Sequence, residues 1–243
     1  MVDFDKYQVL TFDCYGTLID WETGISRIVS PWLEEMGENV PMDLILSAFA
    51  LHQAKHQAVR PTLLYTELLR RVWVDIEGSF GWKPNAERAE AFAYGAGEWG
   101  PFEDTVESLR YLSKFYKLAI LSNVDNPTLK RTLVKLEVPF EFTVTAEDVN
   151  CYKPGHPHFE RALELLSERG IDKSAVLHVA QSKHHDIKPG QELGLSTVWV
   201  NRRFGKKGTG ATLSTEAEPD LAVNTMAELV AHHKARGSAS VAG

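Results

Sequence analysis

The spacing of apolar residues changes character twice along this chain. Near the start, Tyr7-Gln8-Val9-Leu10 is a short run bounded by polar residues, and it predicts a buried strand that gives way to a loop around Asp13. Beyond residue 20 the spacing becomes three and four. Leu44, Ala48, Leu51 and Ala54 form one such set, and Leu64, Leu68, Leu69 and Val72 another. Segments 22–36, 41–59, 62–77 and 85–99 are therefore predicted amphipathic helices, with Pro41, Pro61 and Pro84 at or near their starts, where a missing N–H costs little. From Pro101 strands and helices alternate. Strands are predicted at 117–121, 142–145, 175–179 and 196–200, and helices at 104–115, 127–136, 157–169, 187–193 and 225–235. A basic, glycine-rich loop, 202–219, precedes the last helix. Such alternation implies parallel βαβ units with right-handed crossovers. The predicted fold class is α/β, with a parallel-sheet core from residues 1–19 and 100–243 and a helical insertion at 20–99.

Open parallel sheets bind ligands beyond the carboxyl ends of their strands. The polar residues at those ends are Asp13 after the first strand, Ser122 and Asn123 after the second, Lys153 soon after the third and Asp186 beyond the fourth. They bring together a carboxylate nucleophile, hydrogen-bond donors, a cation and a second carboxylate. Gly16 and Thr17 follow Asp13 in a turn whose backbone N–H groups can bind an anion.

Thr11-Phe12-Asp13-Cys14-Tyr15-Gly16-Thr17-Leu18 resembles the first motif of the haloacid dehalogenase superfamily, in its L-2-haloacid dehalogenase (type II) branch. Ser122-Asn123, Tyr152-Lys153-Pro154 and Asp186 are similar to its later motifs, and residues 20–99 stand where the superfamily places a helical cap domain on a Rossmann-like core. Phosphatase branches usually carry a second Asp where this chain has Tyr15. A phosphoryl transferase needs a general acid for its leaving alkoxide, whereas halide leaves without a proton. Metal-dependent phosphatases carry Gly-Asp after the fourth strand, and this chain has Ala180-Gln181. With that acid gone, Asp13 and Asp186 make a weak site for a hard cation, so no metal and no other cofactor is expected.

The resemblance implies a hydrolytic dehalogenase that converts S-2-haloalkanoic acids to R-2-hydroxy acids through an aspartyl ester. Asp13, Lys153 and Asp186 are the implied catalytic set. The implied substrate-binding residues are Cys14, Tyr15, Thr17, His52, Ser122, Asn123, Ser182, Lys183, His184 and His185. Lys183 stands where the branch usually has Asn, and His185 where it has a bulky aromatic. The branch grips the departing halide with a cap arginine. No arginine lies in 45–58, so His52, with His184 and His185, is the expected substitute, and Arg60 its rival. A small, strongly donating pocket would also suit fluoride. The alternatives are a phosphatase of the same fold acting on a small phosphate ester, and a non-catalytic binding protein.

Composition narrows the partners. A net charge of −7 argues against nucleic acid and membrane surfaces, and the partner that the resemblance implies is a small-molecule 2-haloacid with its halide product. No apolar run approaches the ~20 residues of a membrane span. Met1 to Lys6 lacks the basic and then apolar regions of a secretory signal, so a cytoplasmic location with free thiols at Cys14 and Cys151 is expected. Nothing in the pattern fixes the assembly state, a homodimer being one option.

Overall fold

The computed structural model describes residues 2–59, 62–208 and 210–239, with side chains as far as residue 235. Arg60 and Pro61 lie outside the described residues. Strands β1 (Val9–Phe12), β2 (Lys117–Ser122), β3 (Phe142–Thr145), β4 (Val176–Ala180), β5 (Ser196–Val200) and β6 (Leu221–Val223) form one sheet in the order β3-β2-β1-β4-β5-β6. Every neighbouring pair is parallel. β1 lies inside the sheet and is buried throughout, as a strand covered on both faces must be. It begins two residues later than the apolar run predicts, because Phe4–Lys6 forms a single helical turn capped by Asp3 and Tyr7 follows that turn. The strand therefore runs to the residue before Asp13. In register, Thr11 of β1 stands beside His178 of β4.

Helices α1 (Trp21–Met36), α2 (Met42–Gln57), α3 (Tyr65–Phe80) and α4 (Ala86–Gly95) follow β1 with no strand between them among the described residues. Asp20 caps α1 by accepting from the Thr23 N–H at 3.1 Å. Gly37 ends that helix at φ +70°, a conformation that costs a side chain but not glycine. The four helices share an aromatic centre in which Trp73 and Phe49 both pack on Phe92, at 5.1 and 6.0 Å between centroids. α2 is rotated from its predicted orientation. Leu44 and Leu51, expected inside, are 54% and 62% exposed, while Ile45, Phe49, Gln53 and Gln57 are buried. The chain enters and leaves this helical layer at adjacent points, with Ile19 bridged to Pro101 and the Asp20 N–H donating to the Gly100 carbonyl at 2.9 Å.

The remaining helices are α5 (Thr105–Leu112), α6 (Asn126–Leu136), α7 (Ala146–Val149), α8 (Pro157–Ser167), α9 (Lys188–Glu192) and α10 (Met226–Ala239). Asp125 caps α6 with one carboxylate oxygen and takes the Thr66 N–H of α3 on the other, tying the helical layer to the sheet. Between β4 and α9, residues 183–187 form one wide π-helical turn that starts from Ser182. Among the described residues no helix is long and apolar enough to cross a membrane.

Candidate active site

Asp13 is the first residue past β1, and the turn behind it is built around Gly16, whose φ of +93° favours glycine. A side chain there would also press on Trp21 and Gln181, at 3.1 and 3.2 Å. The Thr17 hydroxyl accepts the Gln181 N–H at 2.8 Å and donates to Asp13 Oδ2 at 2.6 Å. Lys153, fully buried, donates to Asp13 Oδ1 at 3.0 Å, to Asp186 Oδ1 at 2.6 Å and to the Leu121 carbonyl at 2.8 Å. An ammonium has three N–H groups, so Lys153 has no donor left for a substrate. Its role is to hold two buried carboxylates together.

The two carboxylates are not equivalent. Burial pushes the Asp13 carboxyl up, with Lys153 opposing that push and Asp186 adding to it. At Asp186 burial acts in the same sense, but Lys153 and the hydrogen bond from His178 outweigh it and hold the carboxyl at about 2. Burial would lower Lys153, yet the two carboxylates keep it above its ordinary value. The site thus presents a desolvated, more basic carboxylate at Asp13 and a firmly ionised one at Asp186.

A narrow cleft opens over this set, lined by Asp13, Tyr15, Trp21, Gln53, Gln57, Tyr65, Ser122, Asn123, Val124, Lys153, Gln181, Ser182, His185, Asp186 and Thr212. Its free volume is about 30 Å³, room for a few atoms. Two buried polar atoms in it, Ser122 Oγ and Asp186 Oδ2, make no hydrogen bond within the protein. They are a ready donor and a ready acceptor at opposite functional ends of the chemistry. The Ser182 hydroxyl accepts the His185 backbone N–H at 2.9 Å and lies 3.2 Å from His185 Nδ1. Burial pushes the His185 imidazole down to about 3, so it is neutral. The serine hydroxyl can donate to Nδ1, and in that tautomer Nε2 carries the ring's N–H.

Not every predicted site residue reaches the cleft. Cys14 is fully buried, and its carbonyl accepts the Leu18 and Ile19 N–H groups. Thr17 acts through Asp13. Asn123 lines the cleft, but its amide is spent on the Lys153 backbone, accepting its N–H at 2.7 Å and donating to its carbonyl at 3.0 Å. His52 turns to Ser79, at 2.8 Å, and Asp75, at 3.5 Å, because the rotation of α2 gives Gln53 and Gln57 the inward face. In the π-helical turn His185 and Asp186 point inward. Lys183 instead lies over the Trp199 ring at 4.3 Å, and His184 meets Thr215 at 3.1 Å. The cleft residues the sequence did not signal are Trp21, Gln53, Gln57, Tyr65, Val124, Gln181 and Thr212, together with His178 beneath it. A larger open hollow of about 740 Å³ lies between α1 and residues 203–207, where Arg203 is paired with Glu22.

The donor set does not fit a hard divalent cation. Asp13 Oδ1 and Asp186 Oδ1 both face the Lys153 ammonium, the neighbouring Gln181 is neutral, and the described residues hold no group of three His, Cys, Asp or Glu side chains arranged for a metal.

Comparison with known proteins bears on the fold. A family model described as haloacid dehalogenase-like hydrolase matches residues 80–200. The fold matches that of a defluorinating L-2-haloacid dehalogenase with a TM-score of 0.78 at 18% identity, covering 93% of this chain and 94% of that one. It also matches the L-2-haloacid dehalogenase of Xanthobacter autotrophicus with a TM-score of 0.74 at 18% identity, covering 92% and 96%. Among curated proteins, the pyrophosphatase PpaX of Bacillus mycoides is 30% identical over 132 residues, which is 53% of this chain and 58% of that protein. Residues 80–200 are thus similar to the haloacid dehalogenase-like hydrolases, and the fold, a Rossmann-like core with a helical insertion, is like that of the dehalogenases.

Proposed function

We propose that this hydrolase is a dehalogenase of short 2-haloalkanoic acids, with residues 20–99 serving as the cap over a small-molecule site. Asp13 attacks the halogen-bearing carbon from the side opposite the halogen. The C–halogen bond breaks with its electron pair, and an ester forms on Asp13 with inversion, S to R. Water then adds to the aspartyl carbonyl, Asp186 takes its proton, and the product oxygen leaves Asp13 with that proton returned from Asp186, giving the 2-hydroxy acid and the free Asp13 carboxyl. Ser122 Oγ and the backbone N–H groups after Asp13 receive the substrate carboxylate. Tyr15 forms part of the wall, its ring against Tyr65 and Trp99.

The observation that carries this reading is the missing proton donor beside the nucleophile. A leaving alkoxide needs one and a halide does not. Tyr15 stands at that position with its hydroxyl turned to Thr132, 2.5 Å away, and burial pushes its phenol well up. A phosphate-ester reading is favoured by the likeness to PpaX alone. Halide release from 2-chloropropionate, measured beside phosphate-ester and pyrophosphate hydrolysis with and without Mg²⁺, separates the two. Halide release in the absence of phosphatase activity supports the proposal, and the reverse result ends it. Halide release is further expected to continue undiminished in EDTA. A requirement restored by Mg²⁺ would contradict the donor set described above.

The leaving halide faces the helical layer, where Gln53, Gln57 and Tyr65 line the cleft and no described cation does. The Tyr65 hydroxyl meets Gln53 Oε1 at 3.4 Å, which makes the amide nitrogen of Gln53 the end offered to an anion. These amides, with the His185 N–H, replace His52 and His184 as the proposed donors. The double variant Gln53→Leu, Gln57→Leu should lose about 10²-fold in rate on chloro- and fluoroacetate, the typical cost of an aimed donor. His52→Ala should stay near wild type. A double variant within twofold of wild type would refute the assignment.

A further inference from the structure

His178 sits in the middle of β4, fully buried and outside the cleft lining. Its Nδ1 is 2.9 Å from Thr11 Oγ1 and its Nε2 is 3.2 Å from Asp186 Oδ1. The Phe159 ring meets it edge-on at 5.1 Å between centroids. An ionised carboxylate can only accept, so Nε2 carries a proton. On its other side Nδ1 shares a hydrogen bond with the Thr11 hydroxyl, so both ring nitrogens are held.

Asp186 Oδ1 thus takes two hydrogen bonds, from Lys153 and His178, while Oδ2 takes none within the protein. Two donors on one oxygen, arriving from β4 and from the segment after β3, fix the carboxylate plane. They leave Oδ2 as the oxygen offered to the cleft. Lys153 alone would not do so, because it is shared with Asp13 and would hold Asp186 by a single bond.

We propose that His178, braced by Thr11, is the positioning residue that aims Asp186 Oδ2 at the water that hydrolyses the Asp13 ester. This rests on the reading that Asp13 forms a covalent intermediate. It assigns His178 to the second half-reaction only. The first half-reaction needs Asp13, Lys153 and the leaving-group donors, none of which touches His178.

The test separates the halves. For a two-step reaction, slowing hydrolysis lowers kcat and KM together and leaves kcat/KM unchanged. His178→Leu should lower kcat on 2-chloropropionate about 10²-fold, in the range of a general base lost or misaimed. Its kcat/KM should stay within about threefold, and halide should appear as a burst of one equivalent. Mass spectrometry of the quenched variant should find the propionate ester on Asp13. Thr11→Val, which removes the hydroxyl that braces Nδ1, should show the same pattern more weakly, and His178→Gln, whose amide can still donate to Asp186, should recover much of the rate. If kcat/KM falls with kcat and no ester accumulates in His178→Leu or Thr11→Val, His178 is a packing residue and the inference is wrong. If His178→Leu does not fold, Thr11→Val and His178→Gln decide by the same two readouts. Absence of both halide release and adduct in the wild-type protein would instead overturn the dehalogenase reading itself.

Discussion

Asp13→Asn is expected to abolish halide release, with a loss on the order of 10⁴-fold or more, comparable to removal of a catalytic nucleophile elsewhere. The reasons are local. Asp13 ends a fully buried strand, its Oδ2 is oriented by Thr17 and its Oδ1 by Lys153, and burial strips it of the water that would blunt a carboxylate. An amide in its place keeps the shape and the Thr17 contact but has no lone pair of comparable nucleophilicity. Stability should change little, because one charge is removed from a cluster that holds two carboxylates against one ammonium. A steady-state halide assay checks the loss, and single turnover in ¹⁸O-water should place label in the Asp13 carboxylate of the wild type. More than a few per cent residual activity, without deamidation to Asp, would refute the assignment. Label found only in product would point to direct attack by water.

Lys153→Met should be nearly as damaging and should also destabilise the fold. Without the ammonium, Asp13 and Asp186 face each other across a buried site with nothing between them. Two like charges in that setting cannot both remain ionised, so a proton is taken up and the nucleophile or the base is lost. Breaking a buried ion pair by removing one partner costs about 3–5 kcal/mol. The expected result is a rate loss of roughly 10³-fold or more and a clear fall in the urea midpoint at neutral pH. Arg is not expected to rescue it, because its planar fork cannot reproduce the three-way contact to Asp13, Asp186 and the Leu121 carbonyl. A Lys153→Met protein with a tenth of wild-type activity would show that the ammonium is dispensable.

The residues attached to strand ends were legible in the sequence, and those attached to helix faces were not. Asp13, Ser122, Lys153 and Asp186 follow short apolar runs, and a parallel sheet gathers such positions at one edge whatever the details of its helices. On α2 the same logic failed. The helix is apolar on more than one side, so the leucine set at 44 and 51 and the set at 45 and 49 were equally plausible inward faces. His52 was singled out by its place in this helix, where the resemblance puts a halide-gripping arginine, and the structure turns in Gln53 and Gln57. One residue along a helix is a rotation of about 100°. β6 was missed for a different reason, since three residues are too few to show a period. The inward turn of His185 and the outward turn of Lys183 and His184 follow from a π-helical turn, which no local pattern announces. His178 was visible only as one residue of a strand. Its meaning depends on the register that sets it beside Thr11.

The chain passes between the sheet and the helical layer at two adjacent points, where Ile19 is bridged to Pro101 and Asp20 to Gly100. That arrangement divides the inheritance of the proposed site. Asp13, Lys153 and Asp186 lie on the sheet side, while Trp21, Gln53, Gln57 and Tyr65 belong to the inserted segment. On the proposed chemistry, changes on that segment would retune which leaving group is welcomed while the hydrolytic half stays constant, so the preferred substrate and the chemical step would evolve at different speeds.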